Sequence, residues 1–408
     1  MEMKHYEQDE LVRMSNGTPE EQKEVMGMCY DAIYSTIHKY CDIRPEYYPL
    51  VTLWIMGTWA HDQFSTYPYL FFNAMKGSGK TRMLKLVASM SRKGKLVGNP
   101  SEAVLFRTAK GSTFCIDEFE SLGSKENNTL RELLNAAYKK GLFIERMKKV
   151  TSAGVESYVP EQFDVFCPVA MANIWGMEEV LGDRCISIVI ERSNDPVRTR
   201  LMETDGFNGE FLPLLSCISV VCAMSLCPTT YKGWNDYIQS KHSTTTLTTL
   251  NTHTQHTHHT HTTTLTTEQI LLYDRIDSQG ISGRSLEIFM PLLMVAASFD
   301  SLLLEEVLLT VAELAKEKKD NDRAESYDVM MIEFISQLPY SELDFIPVIS
   351  LCNDLAEFIG EKQDWLNVKW LGKALKRVGL VVDKVRHTDG RKVRLNMAKA
   401  KEMIKCFK

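Results

Sequence analysis

Zinc-type cysteine spacing, an apolar leader and strong net charge are all missing from this 408-residue sequence. The ten cysteines are scattered and none forms a C-x-x-C pair, which excludes the common zinc motifs and a thioredoxin-like redox pair. Such thiols fit a reducing cytoplasm rather than a disulfide framework. Met1 to Asp9 is charged and no apolar run follows it, so no secretory leader is expected. The net charge of -6 excludes a uniformly basic nucleic-acid coat and leaves local patches open. Long apolar runs are scarce. The one uncharged stretch, Phe211 to Pro228 (FLPLLSCISVVCAMSLCP), reaches only the short limit for a bilayer span. Pro213 and its Ser and Cys residues favour a buried helix, so no membrane partner is expected.

What is present is an ordinary globular composition, 44% apolar and 25% charged, in a chain long enough for two or three domains. Residues 1–66 read as a helical region. In PEEQKEVMGMCYDAIYSTIHKY, Pro19 suits a first turn and Val25, Met28, Ala32, Ile33 and Ile37 form an apolar face. A second helix is expected after Pro49. Over residues 67–242 short apolar runs alternate with helical stretches: YPYLFFNA, GSTFCIDEFE, FDVFCPVAMANI and RCISIVIER read as strands. That alternation predicts an α/β fold with a parallel sheet and helices on both faces. Residues 243–267, mostly Thr and His, have no core-forming pattern and read as a disordered insert. Six of the ten histidines fall between His242 and His261. A tolerated simple repeat explains them better than a metal site does. Helices are expected over 268–324, where KEKKDNDRAES reads as a linker, and a separate unit over 325–408.

The candidate chemistry starts in Ala74-Met75-Lys76-Gly77-Ser78-Gly79-Lys80-Thr81. An apolar strand precedes this stretch and a helix follows it, the context a phosphate-binding loop requires. Glycines let backbone N–H groups curl around phosphates at a helix N-terminus. Lys80 would reach the β- and γ-phosphates and Thr81 would hold Mg²⁺. Ala74 stands where the consensus has its first glycine. Downstream, TFCIDEFE ends an apolar run in Asp117 and Glu118. Asp117 would hold the metal and Glu118 would orient and deprotonate the attacking water. Asn173 closes the next apolar run, where a sensor of the γ-phosphate belongs. Arg184 precedes a further strand, where an oligomeric ATPase can place an arginine that reaches the neighbouring subunit's nucleotide.

Over residues 45–300 the sequence resembles the AAA+-type helicase half of primase–helicase proteins from phages, plasmids and archaeal viruses. The matching stretches are TWAHDQFSTYPYLFF, GSGKTRML, PSEAVLFRTAKGSTFCIDEFE, LRELLNAAYKKGLFIERM, CPVAMANI, LGDRCISIVIER and RSLEIFMPLL. The resemblance implies a P-loop NTPase working as a homo-oligomeric ring on ATP and Mg²⁺, in a prokaryotic or virus-encoded setting. It places Arg284 as a lid arginine touching the γ-phosphate. It also places Lys148 and Lys149 on a hairpin, turning at Gly154, that projects into a central pore and grips phosphates. The chain carries no recognisable primase or polymerase, so priming would come from a separate partner.

The C-terminus is the basic part. Residues 361–408 hold 14 Lys+Arg against 5 Asp+Glu, a net of +9, so the other 360 residues carry -15 of the total -6. NVKWLGKALKRVGL is amphipathic, with Lys373, Lys376 and Arg377 outward. VVDKVRHT and RKVRLN follow, joined at Asp389-Gly390, a hairpin signal that places Arg391, Lys392 and Arg394 on its second arm. Helices, then a basic helix, then a basic hairpin is winged-helix order, suited to DNA. Residues 325–360 hold seven acids and no Lys or Arg, which suits a second face turned to protein or solvent. The expected activity is an ATP-dependent DNA helicase or translocase in replication of a mobile element. The alternative is a non-motor ATPase switch that assembles on DNA.

Overall fold

The computed structural model describes residues 8–74, 76–98, 100–117, 128–152, 155–173, 179–201, 229–246, 265–325, 327–339, 344–360, 366–387 and 390–405. The chain forms two compact units, Met1–Ala312 and Glu313–Lys408. Three helices open the first: α1 (Gln8–Ser15), α2 (Pro19–Tyr40) and α3 (Tyr47–Thr58). Thr18 caps α2 through a reciprocal pair of bonds with Glu21. The apolar face of α2 is turned slightly from the expected one. Val25, Ala32, Ile33 and Ile37 are buried as expected, but Met26 and Cys29 replace the half-exposed Met28.

The α/β region follows as β1 (Tyr69–Ala74), α4 (Lys80–Met90), β2 (Gly94–Val97), α5 (Glu102–Thr108), β3 (Thr113–Ile116) and α6 (Asn128–Ala137). A long antiparallel hairpin comes next, β4 (Phe143–Ser152) and β5 (Val155–Asp164). The region closes with β6 (Val169–Asn173), α7 (Glu179–Gly182) and β7 (Cys185–Ile190). Five strands form one parallel sheet in the order β2-β3-β6-β1-β7. The central strands are nearly all apolar because both faces are covered. Tyr69 and Phe71 of β1 join a core with Phe106, Leu133 and Leu134 of α5 and α6. Leu70 and Phe72 are equally buried and, by the alternation of a strand, point to the other face. This is an α/β fold with a helix-flanked parallel sheet, compatible with a P-loop-like architecture.

Residues 1–66 are part of this unit rather than a separate domain. Trp54, fully buried on α3, donates its indole N–H to the Pro68 carbonyl at 2.8 Å, and Trp59 does the same to Met90 on α4 at 3.0 Å. Further on lie α8 (Thr229–Thr246), α9 (Thr267–Ser278), α10 (Gly283–Ala297) and α11 (Ser301–Glu325). The expected linker is thus helix: KEKKDNDRAE belongs to α11, and Lys, Glu, Arg and Ala are strong helix formers even when solvated. The Thr/His insert lies mostly outside the described residues, as do Phe211 to Pro228 and Gly154. Its flanks are helical, Thr246 ending α8 and Thr266 capping α9. No helix among the described residues is long and apolar enough to cross a membrane.

The second unit contains α12 (Tyr327–Gln337), β8 (Ile346–Pro347), α13 (Val348–Ile359), α14 (Val368–Arg377), β9 (Val381–His387), β10 (Gly390–Leu395) and α15 (Met397–Lys405). The hairpin expected around Asp389-Gly390 is present, with Gly390 paired to His387. A short third strand, β8, joins it in the order β8-β10-β9. Leu351, Leu355, Leu371, Leu375, Val393 and Leu395 form its core.

Candidate nucleotide site

Parallel strands bring their C-terminal ends to one edge of the sheet, and there the candidate residues collect. The loop after β1 leads straight into α4, with Gly79 at the helix start. Gly77 (φ +79°) and Gly79 (φ +93°) take the left-handed backbone that glycine alone adopts freely. Ala74 needs no such freedom. It is the last residue of β1, buried and paired with Ile190, so the missing consensus glycine falls at an extended position. Lys80 and Thr81 open α4, where backbone N–H groups and the helix dipole favour an anion.

Asp117 follows β3, and its backbone N–H bonds the Val97 carbonyl of neighbouring β2 at 2.9 Å. Its carboxylate meets the loop directly: Thr81 Oγ1 donates to Asp117 Oδ2 at 2.7 Å. Two residues 36 positions apart are thereby joined at the mouth of the loop. Asn173 ends β6, the strand between β1 and β3, and pairs in register with Asn73. It is 7% exposed, a buried polar group at the same edge. Met75 and Glu118 lie outside the described residues.

Beside the loop lies a cavity of about 590 Å³, lined by Gly77 to Met83, by Tyr40 to Asp42 at the end of α2, and by Ile190 at the end of β7 with Arg192, Ser193, Arg198 and Thr199 beyond it. Three arginines brace it. Arg82 of α4 donates to the carbonyls of Tyr40 (3.4 Å), Arg198 (3.1 Å) and Leu201 (2.8 Å). Arg198 bonds the Asp42 carboxylate at 2.8 Å, and Ser193 donates to the same carboxylate at 2.6 Å. Arg192 donates twice to the Lys76 carbonyl. These wall residues had no role in the sequence reading. The signal that could have found them is position: in open α/β sheets the carboxyl ends of the strands frame the ligand crevice, and Arg192 stands two residues past β7.

Two other candidates lie elsewhere. Arg184 precedes β7, its guanidinium bonded to the Val180 carbonyl and 6.0 Å from the Tyr138 ring. Arg284 of α10 shares that ring at 5.4 Å and pairs with Asp183 at 3.1 Å and with Glu287. Tyr69 is in register with Cys185, and Ala74 with Ile190. Arg184 and Arg284 therefore sit a strand's length, about 17 Å, from the edge that carries the loop. Arg284, expected as a lid arginine touching the γ-phosphate, is held at that opposite edge by two carboxylates.

The basic candidates also divide. On the β4–β5 hairpin Lys148 is paired with Glu161 at 3.0 Å. Lys149 is in register with Tyr158, which is exposed. In the second unit Lys373, Lys376 and Arg391 are exposed and Lys392 is half-buried. Arg377 is engaged in a two-pronged bond to Asp328, with Nη2 2.7 Å from Oδ1 and Nε 3.1 Å from Oδ2. Arg394 lies over the Phe345 ring at 5.8 Å and 3.9 Å from Asp383. Arg377 remains exposed beside this pair, and Arg394 is half-buried. No family model matches the sequence, and no curated protein matches it, so the functional reading rests on this geometry.

Proposed function

We propose that the chain binds ATP with Mg²⁺ at the loop 74–81 and hydrolyses it to drive work on DNA. The 2.7 Å contact between Thr81 and Asp117 carries the reading. A hydroxyl and a carboxylate oxygen at the mouth of a glycine loop are a hard, all-oxygen donor set that fits Mg²⁺. When bound, the ion would offset phosphate charge. The chain's own groups would do the rest. Loop N–H groups and Lys80 would bind the phosphates, Asn173 would contact the outer one, and Glu118, adjacent to Asp117, would take the water's proton. The cavity on the β7 side, at Tyr40 to Asp42 and Arg198, would take the nucleoside, since Asp117 and Asn173 mark the other side as the phosphate end. Arg184, at the opposite edge, would serve a neighbour's site in a ring. The order of α12 to β10 and the exposed Lys373, Lys376 and Arg391 support a winged-helix DNA-binding unit. In sum the reading is an AAA+-type helicase or translocase of a mobile element, with any primase on another chain.

Mg²⁺-dependent ATP hydrolysis by the purified chain, compared with Lys80→Ala, tests the nucleotide site. Hydrolysis is expected to vanish in the variant, and near-normal turnover there defeats the reading. ATP-driven displacement of a forked duplex distinguishes a motor from a switch that merely assembles on DNA.

A further inference from the structure

Arg192 is the feature of the pocket that the nucleotide reading leaves unused. It lies on the segment after β7, and both its Nε and Nη2 donate to the Lys76 carbonyl, at 3.0 and 2.8 Å. Both lone pairs of that oxygen are thus engaged by one planar guanidinium, a fork that lysine cannot reproduce. The guanidinium also packs against Gly77: a methyl added there would lie 3.5 Å from Nη2.

The Lys76 carbonyl and the Gly77 N–H belong to one peptide unit. A trans peptide is planar, with C=O and N–H on opposite sides. Whatever fixes the carbonyl therefore fixes the direction of the N–H. Resting on the nucleotide reading above, we propose that Arg192 is a positioning residue for the phosphate loop. It pulls the Lys76 carbonyl toward the β7 side and so aims the Gly77 N–H at the bound phosphates. The loop cradles the inner phosphates that ADP and ATP share, so loss of this hold weakens both nucleotides by the same factor.

The test is direct binding of ADP and of ATP under non-hydrolysing conditions to the full chain, Arg192→Ala and Arg192→Lys, with melting of each without nucleotide. Arg192→Ala should raise both dissociation constants roughly 10- to 100-fold, the range for lost charge-assisted hydrogen bonds, with their ratio unchanged. Arg192→Lys, keeping one donor and the charge, should fall between. Melting without nucleotide should not move, because Arg192 is exposed. Unchanged affinities would overturn the assignment. So would a loss confined to ATP, which would make Arg192 a contact of the outer phosphate, or a lower melting temperature that Arg192→Lys fails to restore. A wild-type chain that binds neither nucleotide removes the nucleotide reading itself, and this inference with it.

Discussion

At the residue scale the proposed nucleotide site is built from short contacts between distant positions. Thr81 and Asp117 meet at 2.7 Å because β1 and β3 run parallel with only β6 between them. Glu118 is one residue further on, and its proposed work is proton transfer rather than binding. Glu118→Gln should therefore keep ATP affinity while hydrolysis falls roughly 10²-fold or more, the scale for a lost general base; equal losses of binding and turnover would reassign it. The loop, Asp117 and Asn173 were legible because each stands where an apolar run ends, and a run's end is visible in sequence. The setting of Arg284 was not legible because sequence order does not say which edge of a sheet a helix start will reach. Asp183 and Glu287 decide that, and their pairing with Arg284 is tertiary. Arg192 was passed over because its partner is a backbone carbonyl, which leaves no trace in residue identity.

At the element scale β1, β3 and β6 could be read because strands covered on both faces are continuously apolar, and β7, with Ser187 and Val189 exposed between buried neighbours, because a half-covered strand alternates. β2 could not: GKLV is four residues long, sits at the sheet edge and carries a lysine. The charged run in α11 misled for the opposite reason, since solvation and helicity are compatible. Helix α3 is apolar all round and buried throughout, and Trp54 is its largest contribution. Trp54→Ala should destabilise the first unit by about 3–5 kcal/mol through the cavity it leaves. Denaturant unfolding measures this, and a loss under about 1 kcal/mol would show that the site collapses freely. On the β4–β5 hairpin both Lys148 and Lys149 are exposed. Changing the two together to Ala should weaken single-stranded DNA binding and lower its salt dependence, by a slope of about 0.7 per lost phosphate contact. Fluorescence anisotropy across a salt series measures this, and unchanged affinity and slope would take the hairpin's outer face out of the DNA path.

At the scale of the whole molecule, charge and chemistry are segregated. The last 48 residues carry +9 and the rest -15. Changing Lys373, Lys376 and Arg391 to Ala should weaken duplex binding and reduce the slope of log K against log salt by about 0.9 per lost phosphate contact. ATP hydrolysis without DNA should persist, because none of these residues belongs to the unit that holds the loop. Unchanged affinity and slope would make the basic surface a protein-docking face. Within the first unit, mixing inactive Arg184→Ala chains with inactive Lys80→Ala chains should restore part of the hydrolysis, since some junctions would regain a complete site. No recovery at any ratio would confine Arg184 to its own subunit. The two edges of the sheet are unlike: one ends in the phosphate loop, the other in Arg184 and Arg284 beside Tyr138. A contact that joins unlike edges cannot satisfy itself in a two-fold dimer. It must repeat head to tail, and such repetition either closes into a ring or winds into an open filament. One chain alone would then be half an enzyme, and dilution would silence it without unfolding a single helix.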